Sequence, residues 1–275
     1  MGKMKVAVQV YSVRDAASAD FKGTAAALKA MGYDALELAG MYDMTAAEIR
    51  AILDEVGIPA LSAHVPFQAF QADVQKTVAD YAAIGCQYIA IPYLMEEFRP
   101  GGEKYGETLA FIKEIGAAAN AAGMTLLYHN HDFEFVKLEN GAYGLDDMYA
   151  QVPASLLQTE IDTCWVNVAG ENPAEYVRKY AGRCPLVHLK DFYMEGKAEG
   201  MYELIGLGLD NREAMKKGHF EFRPVGHGLQ DMPSIVAAAA ESGAGWVVVE
   251  QDSSVGRTPM EAVKMSREFL AGLGL

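Results

Sequence analysis

The chain has 275 residues, a formal net charge of −14 and 51% hydrophobic residues. That length holds one large α/β domain or two small ones, and the apolar content supports a sizeable core and excludes a disordered chain. The acidity opposes nonspecific attraction to nucleic-acid phosphates and serves solubility, and no stretch approaches the roughly 20 apolar residues of a membrane span.

Met1 to Val10 runs straight into strand-like sequence with no separate apolar segment or cleavage site, so no signal peptide is read. The cysteines, Cys86, Cys164 and Cys184, are odd in number and share no metal-type spacing. The expectation is a reduced, cytoplasmic chain.

In chain order, residues 5–11 predict a strand. Residues 21–31 are alanine-rich with helical spacing, closed by Gly32. A short strand, 35–38, carries Glu37, and Thr45 with Glu48 makes a capping-box pattern for a helix reaching Val56. Strand 59–64, helix 74–84, strand 87–91, helix 106–122 and strand 124–129 follow, with Gly57, Gly85 and Gly123 closing the helices. The alternation continues through helix 144–151, strand 156–161, helix 173–180, strand 185–189, helix 233–241, strand 246–249 and helix 259–270. Eight strand–helix units over residues 1–275 predict one α/β domain, a closed (β/α)8 TIM barrel, for which about 250 residues is typical. A doubly wound sheet is the alternative, but no glycine-rich fingerprint follows the first strand. The long loop 192–231 breaks the rhythm. Following the seventh strand, it would lie on the catalytic face as a lid or pocket wall, with a plain surface insertion as the alternative.

Barrel enzymes build their sites at the C-terminal ends of the strands. Here those ends carry Gln9 and Tyr11, Glu37, His64, His129 and His131 with Glu134 beyond, Glu160 and Asp162, His188 and Lys190, and Glu250. Residues two apart on a strand share a face, so each such pair points one way. Charged groups are rarely buried without a partner or a metal. Their recurrence at one end of strand after strand indicates a shared polar site. Two or three carboxylates with an imidazole suit a divalent metal: manganese or magnesium where carboxylates dominate, zinc, cobalt or iron where imidazoles do.

Five stretches carry a family resemblance: Tyr-His-Asn-His-Asp-Phe-Glu-Phe (128–135), Glu-Ile-Asp-Thr-Cys-Trp-Val (160–166), Val-His-Leu-Lys-Asp-Phe (187–192), Pro-Val-Gly-His-Gly (224–228) and Val-Val-Val-Glu-Gln-Asp (247–252). Their order and spacing resemble the sugar phosphate isomerase/epimerase superfamily, the xylose isomerase-like TIM barrels, across nearly the whole chain. The resemblance implies one divalent metal held by a Glu, an Asp, a His and a second Glu from strands five to eight. The last three map to Asp162, His188 and Glu250. For the first, Glu134 is assigned and His129, which stands where many relatives place the Glu, is the alternative. His227 stands where many relatives carry a Glu between two glycines.

The chemistry expected from this set is proton transfer next to a carbonyl of a sugar or sugar derivative through an enediolate, an isomerase or epimerase reaction. His131 is the expected base, with His129, Glu160, Lys190 and His227 as further catalytic candidates. No basic cluster grips a phosphate, which favours an unphosphorylated sugar, cyclitol or glycoside derivative. A lyase of the same fold, a dehydratase or C-glycoside-cleaving enzyme, is the alternative, and a non-catalytic sugar-binding subunit a third. Nucleic acid and membrane are not expected partners, and a homo-oligomer stays open.

Overall fold

The computed structural model describes residues 4–196 and 219–275. Its first half runs β1 (Lys5–Gln9), α1 (Arg14–Ala19), α2 (Phe21–Ala30), β2 (Ala35–Leu38), α3 (Ala46–Val56), β3 (Ala60–Ala63), α4 (Phe67–Ala72), α5 (Val74–Ile84), β4 (Tyr88–Ile91) and α6 (Tyr105–Ala121). The second half runs β5 (Thr125–His129), α7 (Gly144–Gln151), β6 (Gln158–Asp162), α8 (Thr163–Val168), α9 (Pro173–Lys179), β7 (Leu186–Leu189), β8 (Asp191–Glu195), β9 (His219–Arg223), α10 (Met232–Glu241), β10 (Trp246–Val249) and α11 (Pro259–Gly272).

Eight parallel strands pair in the order β3-β2-β1-β10-β7-β6-β5-β4. The seam between β3 and β4 is joined where His64 bridges Ala90, where Val65 N–H donates to the Ala90 carbonyl and where Gln87 N–H donates to that of Leu61. The result is a nearly closed, single-domain TIM barrel. Local chemistry agrees with it. Thr45 and Glu48 form the expected capping box on α3, and Gly57 ends that helix at φ 74°, where a Cβ would be strained. No helix among the described residues is long and apolar enough to cross a membrane, and all three cysteines are buried and free.

Two departures from expectation stand out. The first strand stops at Gln9, because its side-chain oxygen accepts the Tyr11 N–H at 2.9 Å and turns the chain into a 3-10 helix over Val10–Val13. The segment after β7 is not all irregular: β8 and β9 pair as an antiparallel ribbon, Phe192 opposite Phe222 and Met194 opposite Phe220. The middle of the predicted loop, 197–218, lies outside the described residues.

Most of the apolar core lies between the strands and the helices. A separate layer, including Ala7, Ala35, Leu61, Leu127, Leu186 and Val248, packs together beneath the site. Leu127 is fully buried there, so Leu127→Ala should destabilise the barrel by about 2–5 kcal/mol in urea unfolding. A loss below about 1 kcal/mol would mean that the layer collapses around the gap.

Candidate metal centre and active site

Strands β10, β7, β6 and β5 are consecutive neighbours in the sheet. Their register sets His129 beside Glu160 and Asp162 beside His188. Alternation then brings Glu160 with Asp162, His188 with Lys190, and Glu250 with Asp252 toward one another, all of them buried.

These groups form two tiers. In the lower tier, the Glu37 and Glu160 carboxylates anchor three imidazoles. His64 Nε2 lies 2.8 Å from Glu160 Oε1 and 3.2 Å from Glu37 Oε1. His188 Nε2 lies 2.8 Å from Glu37 Oε1 and in close contact with Glu160 Oε1. His129 Nδ1 faces Glu160 Oε1 at 3.7 Å. Gln9 Nε2 donates to Glu37 Oε1 at 2.9 Å. In the upper tier the opposite ring nitrogens meet the other acids. His188 Nδ1 is 3.1 Å from Glu250 Oε2, and His129 Nε2 is 3.7 Å from Asp162 Oδ2 and 4.0 Å from Glu250 Oε2. Lys190 Nζ stands at their edge, 3.1 Å from Glu250 Oε2, 2.8 Å from Asp252 Oδ2 and 3.6 Å from Asp162 Oδ2.

One donor atom from each of His129, Asp162, His188 and Glu250 lies within 4.8 Å of the others. Asp162 fits a ligand's part. Its Oδ1 accepts from Cys164 N–H and Trp165 N–H at the start of α8, while its buried Oδ2 has no hydrogen-bond partner among the described residues. Two imidazoles and two carboxylates suit a divalent metal with mixed nitrogen and oxygen ligands. His64, His129, Glu160 and His188 make a second group of the same type, but there His64 and His188 already touch Glu160 at hydrogen-bond distance, while His129 Nδ1 stays 3.7 Å away. There the carboxylates orient the rings and fix which nitrogen is left for the upper tier.

The electrostatics follow this division. Burial opposes a charge on His188, yet the Glu160 and Glu37 carboxylates outweigh it and hold its pKa well above the ordinary value. Burial pushes the Asp162 carboxyl up to about 7 against the pull of Lys190. It pushes His129 down to about 3, and with help from His129 and Lys190 it holds His131 well below the ordinary imidazole value.

His131 sits in an aromatic box. Phe133 is parallel to it at 5.2 Å, Trp165 is tilted at 5.3 Å and Tyr93 is edge-on at 5.6 Å between ring centroids. The ribbon joins this wall, since Phe192 and Phe222 pack with Cys164 and Trp165. Lys190 Nζ lies 5.4 Å from the Phe222 ring. A cavity of about 440 Å³ opens above, with His64, His129, His131, Lys190, Glu250 and Asp252 among its lining groups and Tyr11, Pro66, Tyr93 and Met95 around them.

The family model described as xylose isomerase-like TIM barrel matches residues 25–273. The chain belongs to that family. Among curated relatives, the inosose dehydratase of Geobacillus kaustophilus is 26% identical over 266 residues, 87% of this chain and 83% of that protein. The inosose dehydratase of Clostridium beijerinckii is 27% identical over 162 residues, and the match covers 58% of this chain but only about half of that relative, 51%. A solved sugar phosphate isomerase/epimerase from Parabacteroides distasonis superposes with a TM-score of 0.77 at 21% identity, covering 98% of this chain and 94% of the other. An L-ribulose 3-epimerase superposes at 0.70 with 17% identity, covering 99% and 95%.

Against the ligand pattern that family resemblance implied, Asp162, His188 and Glu250 converge and Glu134 does not join them. Beyond β5 the chain turns into a 3-10 helix, Phe133–Phe135, which tucks Glu134 beneath the backbone. Its carboxylate accepts from the Tyr128 hydroxyl and, at 2.7 Å, from His131 N–H, and burial raises its pKa to about 8. His129 offers the fourth converging donor atom. His227 is exposed, faces Phe269 and is not among the groups lining the cavity. The cause is Asp191, whose carboxylate accepts from Gly226, Gly228 and Gln230 N–H and turns the intervening side chain outward. A Cβ on Gly226, at φ 84°, would meet the Phe269 ring at 2.3 Å. Glu160 is central but sits below the cavity, among the imidazoles. Asp252 was missed, though its place two residues after Glu250 signalled a shared face.

Proposed function

We propose that this protein abstracts a proton next to a carbonyl of an unphosphorylated sugar or cyclitol, with His129, Asp162, His188 and Glu250 holding one divalent ion. The observation that carries this reading is the convergence of those four donors beside a boxed imidazole, His131, whose Nδ1 is buried and without a hydrogen-bond partner among the described residues. An ion bound there would act as a Lewis acid on oxygens next to the reacting carbon. His131, held neutral by its surroundings, takes the carbon-bound proton and generates the enediolate. Lys190, charged between Glu250 and Asp252, donates to a substrate oxygen as negative charge develops. Glu37 and Glu160 keep the imidazoles oriented. The aromatic wall keeps water from the base.

Isomerisation or epimerisation returns the proton to carbon. A second reading, loss of a β-hydroxyl from the same enediolate, is favoured by the inosose dehydratases among the relatives. A neutral substrate is supported because, among the described residues, Lys190 is the only lysine or arginine lining the cavity, and acids already hold it.

The test is to incubate the metal-loaded protein with keto sugars and inososes in deuterium oxide and follow mass and NMR. Deuterium at the α-carbon with unchanged composition supports isomerisation or epimerisation, and loss of water supports the dehydratase. Neither exchange nor conversion across the panel would sink the proposal. As a further expectation, Glu160→Gln should weaken metal binding by roughly 10- to 100-fold without abolishing it, the scale of a lost orienting partner. A metal titration with a competing chelator would check this.

A further inference from the structure

The imidazoles of His64 and His188 are aimed by carboxylates at hydrogen-bond distance, but His131 is held differently. Its Nδ1 has no hydrogen-bond partner among the described residues, and four rings pack against it: Phe133 at 5° and 5.2 Å, Trp165 at 33° and 5.3 Å, the His129 imidazole at 69° and 5.4 Å, and Tyr93 at 89° and 5.6 Å. Tyr93 and Phe133 are only half-buried and stand beyond the ends of β4 and β5. Core packing alone does not lock them.

One side chain holds both. The Arg99 guanidinium carbon lies 3.7 Å from the Phe133 centroid and 4.8 Å from that of Tyr93. Arg99 Nε donates to the Leu94 carbonyl at 2.8 Å, and Nη2 contacts the Tyr93 hydroxyl. A planar guanidinium can stack on one ring while its edge donates to another residue, which an ammonium cannot do. The Phe133 ring thus carries both the guanidinium and the His131 imidazole against it. Neither Arg99 nor Phe133 lines the substrate cavity; both line a second cavity, of about 610 Å³. Arg99 therefore reaches the chemistry only through the rings.

We propose that Arg99 is a positioning residue: by clamping Phe133 and Tyr93 it sets the angle at which His131 meets the substrate. The catalytic half of this proposal rests on the reading of His131 as base; the geometric half does not.

The experiment compares metal-loaded wild type with Arg99→Met, Arg99→Lys and Phe133→Leu. It reads metal content, KM and kcat for a keto sugar or inosose that shows α-exchange, and the ¹H–¹³C resonance of the His131 ring, assigned by its absence in His131→Asn. Ring currents make that resonance sensitive to the imidazole's angle. For Arg99→Met the expected result is unchanged metal content, KM within about twofold, a moved His131 resonance and kcat lower by roughly 10- to 100-fold, the scale of a small misplacement. Arg99→Lys should resemble Arg99→Met, since charge without the planar fork does not restore the clamp. Phe133→Leu should show the same signature, and it carries the test if Arg99→Met fails to fold. A wild-type resonance and kcat in Arg99→Met would overturn the proposal, as would full rescue by lysine. If His131→Asn keeps wild-type turnover, the base reading falls and the catalytic half with it, while the resonance alone decides whether Arg99 fixes the ring.

Discussion

Asp162→Asn and Glu250→Gln each lose the metal ion on dialysis, whereas Glu134→Gln keeps it. This contrast is the expected outcome of metal analysis on purified, metal-loaded variants. Asp162→Asn is the cleaner of the two changes. The residue caps α8 through Oδ1, and asparagine is as good a cap as aspartate, so the fold is kept. What changes is the second oxygen, which becomes an NH2 group with no lone pair to offer a cation. Affinity should fall by more than the roughly 10- to 100-fold that outer partners cost. Glu134→Gln keeps an oxygen to accept from Tyr128 or from His131 N–H, and the variant should hold its ion with altered turnover at most. If Glu134→Gln loses the ion while Asp162→Asn retains it, the ligand set built on His129 is wrong.

The same contrast marks how far the sequence could be read. Regular elements repeat local chemistry, so apolar strands such as Trp246–Val249 and helices closed by Gly57 or Gly85 were legible, and with them the barrel. Asp162, His188 and Glu250, which the family resemblance singled out, converge because alternation along a strand decides direction. Alternation gives no direction where the chain leaves the strand. Glu134 is aimed by the 3-10 turn and by Tyr128, not by period-two alternation. His227 is aimed by Asp191, a partner distant in sequence. The roles of Glu37 and His64 appear only once the barrel brings β2 and β3 face to face with β6 and β7. The ribbon did leave a signal: Phe220 and Phe222 alternate with Glu221 as a half-buried strand would.

His131→Asn should lower turnover by roughly 10²-fold or more, the scale of a positioned general base, and leave the metal in place. Retention of the ion is expected because His131 belongs to neither group of converging donors. The loss of rate follows from chemistry, since asparagine keeps a polar group of similar reach but has no basic nitrogen to accept a carbon-bound proton. Burial and neighbouring charges keep the native imidazole neutral, so in the wild type the proton-accepting form is the resting form. Exchange of the substrate α-hydrogen with solvent deuterium should fall in parallel with turnover, because both pass through the same proton transfer. A variant that loses its ion would make His131 a ligand and exchange its role with that of His129. A variant in which exchange and turnover both survive would move the base elsewhere. The exposed His227 is a poor successor, and Glu160 lies below the cavity, engaged by three imidazoles. That leaves His64 and Lys190, which line the cavity. Of these, Lys190 is held charged by Asp252 and Glu250 despite its burial and has no free pair to offer, so His64→Asn would be the next variant to measure.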